Sequence, residues 1–288
     1  MPVKLSGFAD EISDKFENQL EGLKTNEIEY IEVRGVNGKN ISVLNQEELD
    51  EAKKLLEQYN IKVSSIGSPI GKVRITDDFD EHLEVFENVM NAALTLETKY
   101  IRIFSFFVPA NYHLKYRDDV LYRLGVMADK AAQKNLILCH ENERDIYGES
   151  PEMCLDLMTH FDGAIKFVFD PANFIVGKFT PYPNAYNMLA DYIEYMHIKD
   201  ADDTGIVPAG QGSGKIKEIL SDLIIKRNFD NFLSVEPHLS VFTGLDKLEG
   251  GENRLVRNKY KTKEEAFAAA SNALKKILKE IYAKKVNT

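Results

Sequence analysis

A (β/α)8 barrel is the fold this sequence predicts, on three observations. Short apolar or β-branched runs recur along all 288 residues, each followed by a segment of helical period. Eight such pairs follow one another at roughly 25–40 residue spacing, the rhythm of a single α/β barrel of this length. The 17 Gly and 9 Pro cluster nowhere, so no linker divides the chain and residues 1–288 read as one domain. A doubly wound open sheet is the competitor, but it usually carries a glycine-rich phosphate turn after its first strand. Here the first strand runs out in Gly7-Phe8-Ala9-Asp10-Glu11, which has no such turn.

The elements follow in order. Val3–Ala9 reads as a strand and Lys15–Lys24 as a helix with Phe16, Leu20 and Leu23 on one face. Tyr30–Val33 is the second strand, and Gln46–Tyr59 a helix with Leu49, Ala52, Leu55 and Leu56 inward. Ile61–Ile66 leads into the long helix Phe79–Leu96, whose apolar face is Leu83, Phe86, Met90, Ala93 and Leu94. Tyr100–Phe104 is followed by Val120–Gln133, and Leu136–Glu141 by Pro151–His160, where Pro151 suits a first helical turn. Ile165–Asp170 precedes Tyr182–Asp191, and Ile193–Lys199 precedes Lys215–Lys226. Phe232–Glu236 is the eighth strand and Glu264–Ala283 the last helix. The connection 237–262, with His238, Phe242, Gly244 and the Gly250-Gly251 pair, is longer than an ordinary βα loop. It reads as a lid or subunit contact.

Composition excludes several partners. Hydrophobic residues make up 44% of the chain, enough for a sizeable core. A net charge of −10 argues against a nucleic-acid backbone as partner. Eight Lys against three Glu between Lys259 and Thr288 read as a solvated helix face. No apolar run approaches the roughly 18–20 residues of a membrane helix, and the N-terminus carries no signal pattern. Cys139 and Cys154 lack metal or redox spacing, so a reduced, cytoplasmic protein is expected.

Function in a barrel sits where the strands run out at their carboxyl ends. Strand five ends His140-Glu141-Asn142-Glu143, and strand six Asp170-Pro171-Ala172-Asn173. Strand seven gives His197-Ile198-Lys199-Asp200 and strand eight Glu236-Pro237-His238. Singly, each such residue is most simply a loop residue or helix cap. Together, Glu141, Asp170, His197 and Glu236 converge on one half of the mouth. Three neighbouring carboxylates repel one another unless a cation holds them. One imidazole and three carboxylates suit a divalent ion such as Mn²⁺, Mg²⁺, Zn²⁺ or Co²⁺.

These residues, with Asn173, the Gly210-Gln211-Gly212 turn, the opening Gly7-Phe8-Ala9-Asp10-Glu11-Ile12-Ser13 and Ile31-Glu32-Val33-Arg34, resemble the xylose isomerase-like TIM barrels. Within these the chain is most similar to the sugar phosphate isomerase/epimerase group, over nearly its whole length. The resemblance implies one divalent ion on Glu141, Asp170, His197 and Glu236. It also implies Glu141 and Glu236 as the acid/base pair moving a proton next to a carbonyl through an enediolate. It further implies a small polyhydroxy carbonyl substrate, a sugar or sugar phosphate, and a homodimer. The sequence departs from the group at Asn173, where ketose epimerases often carry His, and at Asp203, where they often carry Arg. Gln211 stands where relatives often have Glu. Lys199 or Arg144 is expected to take over the contact to a substrate hydroxyl or anion.

Other residues have two readings each. Glu143, Arg144 and Tyr147 line the mouth or form a solvated loop. Glu32 and Arg34 form a structural ion pair at the rim, or Glu32 meets substrate. Phe106, Phe107 and Tyr112 shield the substrate or pack their own loop. His238, two residues after Glu236 on a continuing strand, faces the site.

Four functions compete: an isomerase or epimerase, a dehydratase of an inosose-like substrate on the same site, a non-catalytic sugar-binding barrel, and a DNA-repair endonuclease. The last needs several further metal-binding histidines. The six here are His82, His113, His140, His160, His197 and His238, and the ends of strands two and three offer none.

Overall fold

A computed structural model describes residues 3–240 and 260–285. Eight parallel strands, β1 (Lys4–Gly7), β2 (Tyr30–Val33), β3 (Lys62–Gly67), β4 (Tyr100–Ile103), β5 (Ile137–Glu141), β6 (Ile165–Phe169), β7 (Ile193–Ile198) and β8 (Phe232–Val235), form one sheet. Its order is β1-β8-β7-β6-β5-β4-β3-β2, a nearly closed barrel. The register sets Ser234 beside His197 and Glu141 beside Val168, which brings neighbouring strand ends to similar height. Of the long connection after β8, residues 241–259, including Phe242, Gly244 and the Gly250-Gly251 pair, lie outside the described residues.

The helices α1 (Phe16–Thr25), α2 (Gln46–Tyr59), α3 (Phe79–Thr95), α4 (His113–Gln133) and α5 (Pro151–Phe161) follow the first five strands. Their starts are written in side chains that satisfy otherwise unpaired backbone N–H groups. Asn45 and Glu48 form a reciprocal capping box on α2, Asp78 caps α3, and Ser150 caps α5 ahead of Pro151. Helix α4 begins at His113, ahead of the expected Val120. Residues 113–119 are mostly polar and carry no apolar stripe to announce them. Leu94, expected on the buried face of α3, is instead 47% exposed.

After β6 comes α6 (Pro171–Val176), and the expected helix Tyr182–Asp191 is present as contiguous helical pieces of differing pitch: a wide turn over Pro181–Ala185, α7 (Tyr186–Leu189) and the turn Ala190–Tyr192. Pro181 and Pro183 sit in the first turn, where a missing backbone N–H leaves no intrahelical bond unmade. After β7 a hairpin pairs Asp200–Asp202 with Gly205–Val207. Helix α8 (Ile216–Ser221) then passes into a wider turn at Asp222–Lys226, and α9 (Lys263–Lys285) closes the ring.

Inside the barrel, Tyr100, Cys139, Val168, Tyr195 and Phe232 pack together toward the amino-terminal end. Above them lies a polar layer in which Glu32 accepts from the Tyr195 hydroxyl (2.9 Å) and from Ser234 (2.7 Å). The candidate site rests on this floor.

The turn after β3 is pinned from outside the barrel. Gly71 has φ +85°, and a Cβ there would stand 2.1 Å from the Phe104 carbonyl oxygen, so only glycine fits. Its N–H donates to His82 Nε2 at 3.0 Å, which requires that nitrogen unprotonated. Burial, with Arg123 adding, lowers His82 to about 4 from an ordinary 6.5. A histidine held neutral in the fold contributes stability above its unfolded pKa, and that contribution is lost as pH falls through 6.5 toward 4. Chemical denaturation of wild type and His82→Gln across this window should show a shallower pH dependence in the variant; an identical slope would contradict this role.

Candidate metal centre

Glu141 ends β5, Asp170 follows β6, His197 lies near the end of β7 and Glu236 follows β8. Each offers a donor atom within 4.8 Å of the others, and all four are buried. His197 Nδ1 stands 3.0 Å from Glu141 Oε1 and 3.5 Å from Glu236 Oε2. Asp170 has two tasks. Its Oδ1 caps α6 by accepting from the Asn173 N–H (3.0 Å), while Oδ2 faces Lys199 Nζ at 3.0 Å. The Asp-Pro-x-Asn run thus fixes the carboxylate through the helix start that it makes.

A divalent cation fits this donor set. Three carboxylate oxygens and one imidazole nitrogen are hard and borderline donors that such ions take. His197 Nδ1 and Asp170 Oδ2 are buried and make no hydrogen bond, each held only by an ion-pair partner at 3.0 Å, Glu141 and Lys199 respectively, so both are donors that a cation could take. The imidazole is also aimed. Its Nε2 lies 3.2 Å from each oxygen of Glu32, so the proton belongs on Nε2 and the Nδ1 lone pair turns toward the carboxylates when a metal is held.

Burial raises Glu141, but His197 and Arg102 outweigh it and hold the carboxyl well below its ordinary range. Glu236 is likewise held low, Lys199 and His238 overcoming burial. Asp170 is pushed up to about 7, mainly by burial, with Lys199 opposing and Glu141 and Glu236 adding. Lys199 and His197 remain charged well beyond their ordinary ranges because surrounding carboxylates outweigh burial.

Around the four, the structure gives each remaining candidate a place. Asn173 donates to Glu141 Oε1 (3.0 Å) and to the Asn142 carbonyl (2.9 Å), bridging two strand ends. Lys199 lies buried between Asp170 and Glu236 Oε2 (3.1 Å). Glu143 pairs with Lys72 at 3.0 Å, and the Arg144 side chain, 34% exposed, turns to Asp145. Glu32 sits behind His197, its oxygens taken by His197, Tyr195 and Ser234, which makes it a support for the ring instead of a substrate contact. Nor does it pair with Arg34, which binds Asp10, Glu11 and Glu236 instead. His238 lies 3.4 Å from Glu236 Oε1. It gets there by a different route from the one expected. Strand β8 stops at Val235, and the chain turns left-handed at His238 (φ +45°), whose N–H donates to Glu11 at 2.7 Å. Tyr147 and Phe106 leave the mouth altogether: the Tyr147 hydroxyl donates to Asp156, and Phe106 packs against Phe79 and His82. Tyr112 is 52% exposed.

Three participants were missed. Arg102 donates to Glu141 Oε2 at 2.8 Å, Arg34 to Glu236 Oε1 at 3.0 Å, and Glu11 holds the turn at His238. Arg102 carried a signal, a lone cation inside the apolar run Tyr100–Phe104. The Gly210-Gln211-Gly212 turn is built on Asp200, which accepts from the N–H groups of Gly210 (2.9 Å), Gly212 (3.0 Å) and Gly214 (2.8 Å). A Cβ on Gly212 would stand 2.3 Å from the Ala201 carbonyl oxygen.

The support from Glu32 can be tested apart from the ligands. Glu32→Gln should weaken divalent-ion binding by roughly 10–100-fold, measured by competition with a chromogenic chelator. Unchanged affinity would remove Glu32 from the centre.

Comparison with known proteins agrees with this architecture. The family model of the xylose isomerase-like TIM barrel matches residues 21–253. Among solved structures, the D-psicose 3-epimerase of Clostridium cellulolyticum H10 with D-tagatose is similar over 96% of this chain and 99% of its own, with TM-score 0.74 and 11% identity. The probable 3-DHS dehydratase AsbF of Bacillus anthracis covers 95% of this chain and 99% of its own, with TM-score 0.72 and 18% identity. The IolI protein with a binding zinc atom covers 97% and 99%, with TM-score 0.74 and 17% identity. Comparison with curated proteins gives no match. At such identities the solved structures share the fold alone, and the family model carries the assignment: the chain belongs to the xylose isomerase-like TIM barrel family.

Proposed function

We propose that this protein is a divalent-metal-dependent sugar isomerase or epimerase that moves a proton on the carbon next to a carbonyl. The observation carrying this reading is the convergence of Glu141, Asp170, His197 and Glu236 from four consecutive strands to within 4.8 Å. These four residues would hold the ion. A bound divalent ion supplies Lewis-acid stabilisation of the negative charge that develops when a proton leaves that carbon. Sugar epimerases among the structural neighbours support the activity class, and the zinc named for IolI and the magnesium named for a Mycobacterium smegmatis barrel support the ion.

The protein's own groups divide the work. Glu141 and Glu236 are the acid/base pair. Each has one oxygen fixed by an arginine, Oε2 of Glu141 by Arg102 and Oε1 of Glu236 by Arg34. The other oxygen of each faces the cluster, and both groups are held ionised, so either can act as the base. Inversion requires one carboxylate to take the carbon-bound proton and keep it, while the other, having first gained a proton from solvent, delivers that proton to the opposite face; exchange with solvent then resets both. Asp170 and His197 serve as holders, aimed by Asn173 and Glu32 respectively. Lys199 and His238 stand at Glu236, where they orient it and meet substrate oxygens.

A dehydratase acting on the same site is the second reading. It is favoured by the buried ammonium of Lys199 beside Glu236, a positive charge that would stabilise a departing hydroxyl oxygen, and by the similarity to AsbF. Among the described residues no helix is long and apolar enough to cross a membrane. Both cysteines are buried and free, which fits a cytoplasmic setting, and the reading retains a homodimer.

Wild-type protein with Mn²⁺ in D₂O should wash deuterium into a ketose such as D-tagatose or D-psicose, or into hydroxypyruvate or an inosose, followed by proton NMR. Glu236→Gln should lower the exchange rate by at least about 10²-fold, the scale of a lost general base. Exchange that persists in this variant would overturn the assignment of Glu236.

A further inference from the structure

We propose that the half of the mouth formed by β1–β4 receives a carboxylate of the substrate on the side edge of Arg102, so that the substrate is a polyhydroxy carbonyl compound bearing a carboxylate. This rests on the reading of the mouth as a metal-assisted active site and specifies what that site takes.

The candidate ligands all come from β5–β8, which leaves the ends of β1–β4 to meet the rest of the substrate. Two buried arginines stand there, and they can be compared directly. Arg34 donates Nη1 to Glu236, and its side edge of Nε and Nη2 grips Asp10 with two bonds, 2.7 and 3.0 Å. Arg102 likewise donates Nη1 to the other acid/base carboxylate, Glu141, at 2.8 Å. Its side edge is different: Nε is buried without a hydrogen-bond partner, and among the described residues the side chain makes no hydrogen bond other than that to Glu141. One arginine thus has a protein carboxylate on its side edge and the other has none.

Arg102 is only 2% exposed, so water is a poor general answer to the open edge. A buried donor without an acceptor costs about 1–3 kcal/mol, more when it is charged. The faces of the guanidinium are occupied by aromatic rings, with Cζ 4.6 Å from the centroid of Phe104 and 5.5 Å from that of Phe8. Polar contact is therefore left to the edge. A planar carboxylate matches the two parallel N–H groups of an arginine edge. A phosphate can approach the same edge, so a sugar phosphate is included as competitor.

The test is calorimetric titration of the Mn²⁺-loaded protein with D-gluconate, with D-glucitol, in which a hydroxymethyl group replaces the carboxylate, and with D-glucitol 6-phosphate. Gluconate should bind about tenfold or more tightly than glucitol and more tightly than the phosphate. Arg102→Gln should bring gluconate and glucitol to within about threefold, and Arg102→Lys should give an intermediate ratio, each titrated at a Mn²⁺ concentration that saturates that variant. The proposal is overturned by equal binding of the first two in wild type, by no binding of gluconate, by tighter binding of the phosphate, or by a gluconate preference that survives in Arg102→Gln. The last would place the carboxylate on the ion. Wild-type protein that takes up no Mn²⁺ overturns the underlying reading and this one with it.

Discussion

Three buried carboxylates at one end of a barrel are the constraint on which the rest of the site depends. Removing each from water costs several kcal/mol, and their mutual repulsion in a low-dielectric setting adds to it. The chain answers with cations drawn from around the ring: Arg34 after β2, Arg102 on β4, Lys199 after β7, and the imidazole of His197. A divalent ion suits the same donor set, whose four donor atoms lie within 4.8 Å of one another.

The same constraint explains why so many residues act twice. Asp170 starts a helix with one oxygen and serves the cluster with the other. Glu32 binds the polar floor of the barrel and fixes the ring of His197. Asn173 ties the ends of β5 and β6 together by bonding both Glu141 and the Asn142 backbone. In a closed barrel every strand end is held by two neighbours, so these supports place the donors without depending on mobile loops.

Most of the fold was legible because each barrel strand is a short apolar run with a helical segment behind it. Tyr30–Val33 and Gln46–Tyr59 fall at the bounds read from the pattern. The pattern failed where it has no period to offer: in the polar first turns of α4, and in the six-residue α6 directly after β6. Leu94 shows that apolarity alone does not assign a face. At the site, the strand-end rule brought Glu141, Asp170, His197 and Glu236 together because all four lie at or just past the carboxyl ends of consecutive strands. It was silent on Arg102, since a cation that meets Glu141 from the neighbouring strand, 39 residues away, leaves no local pattern in the sequence. The route of His238 was also hidden, because a left-handed turn after Pro237 cannot be read from strand alternation.

The central claim is that the four strand-end donors hold an ion, and metal content tests it most directly. Protein purified without a chelating tag, analysed by elemental methods as wild type and as Glu236→Gln, should carry close to one equivalent of a divalent metal in the first and less in the second. A wild-type protein that binds none, even after addition of Mn²⁺, Co²⁺ or Zn²⁺, would contradict the account and leave the mouth as a charged binding rim.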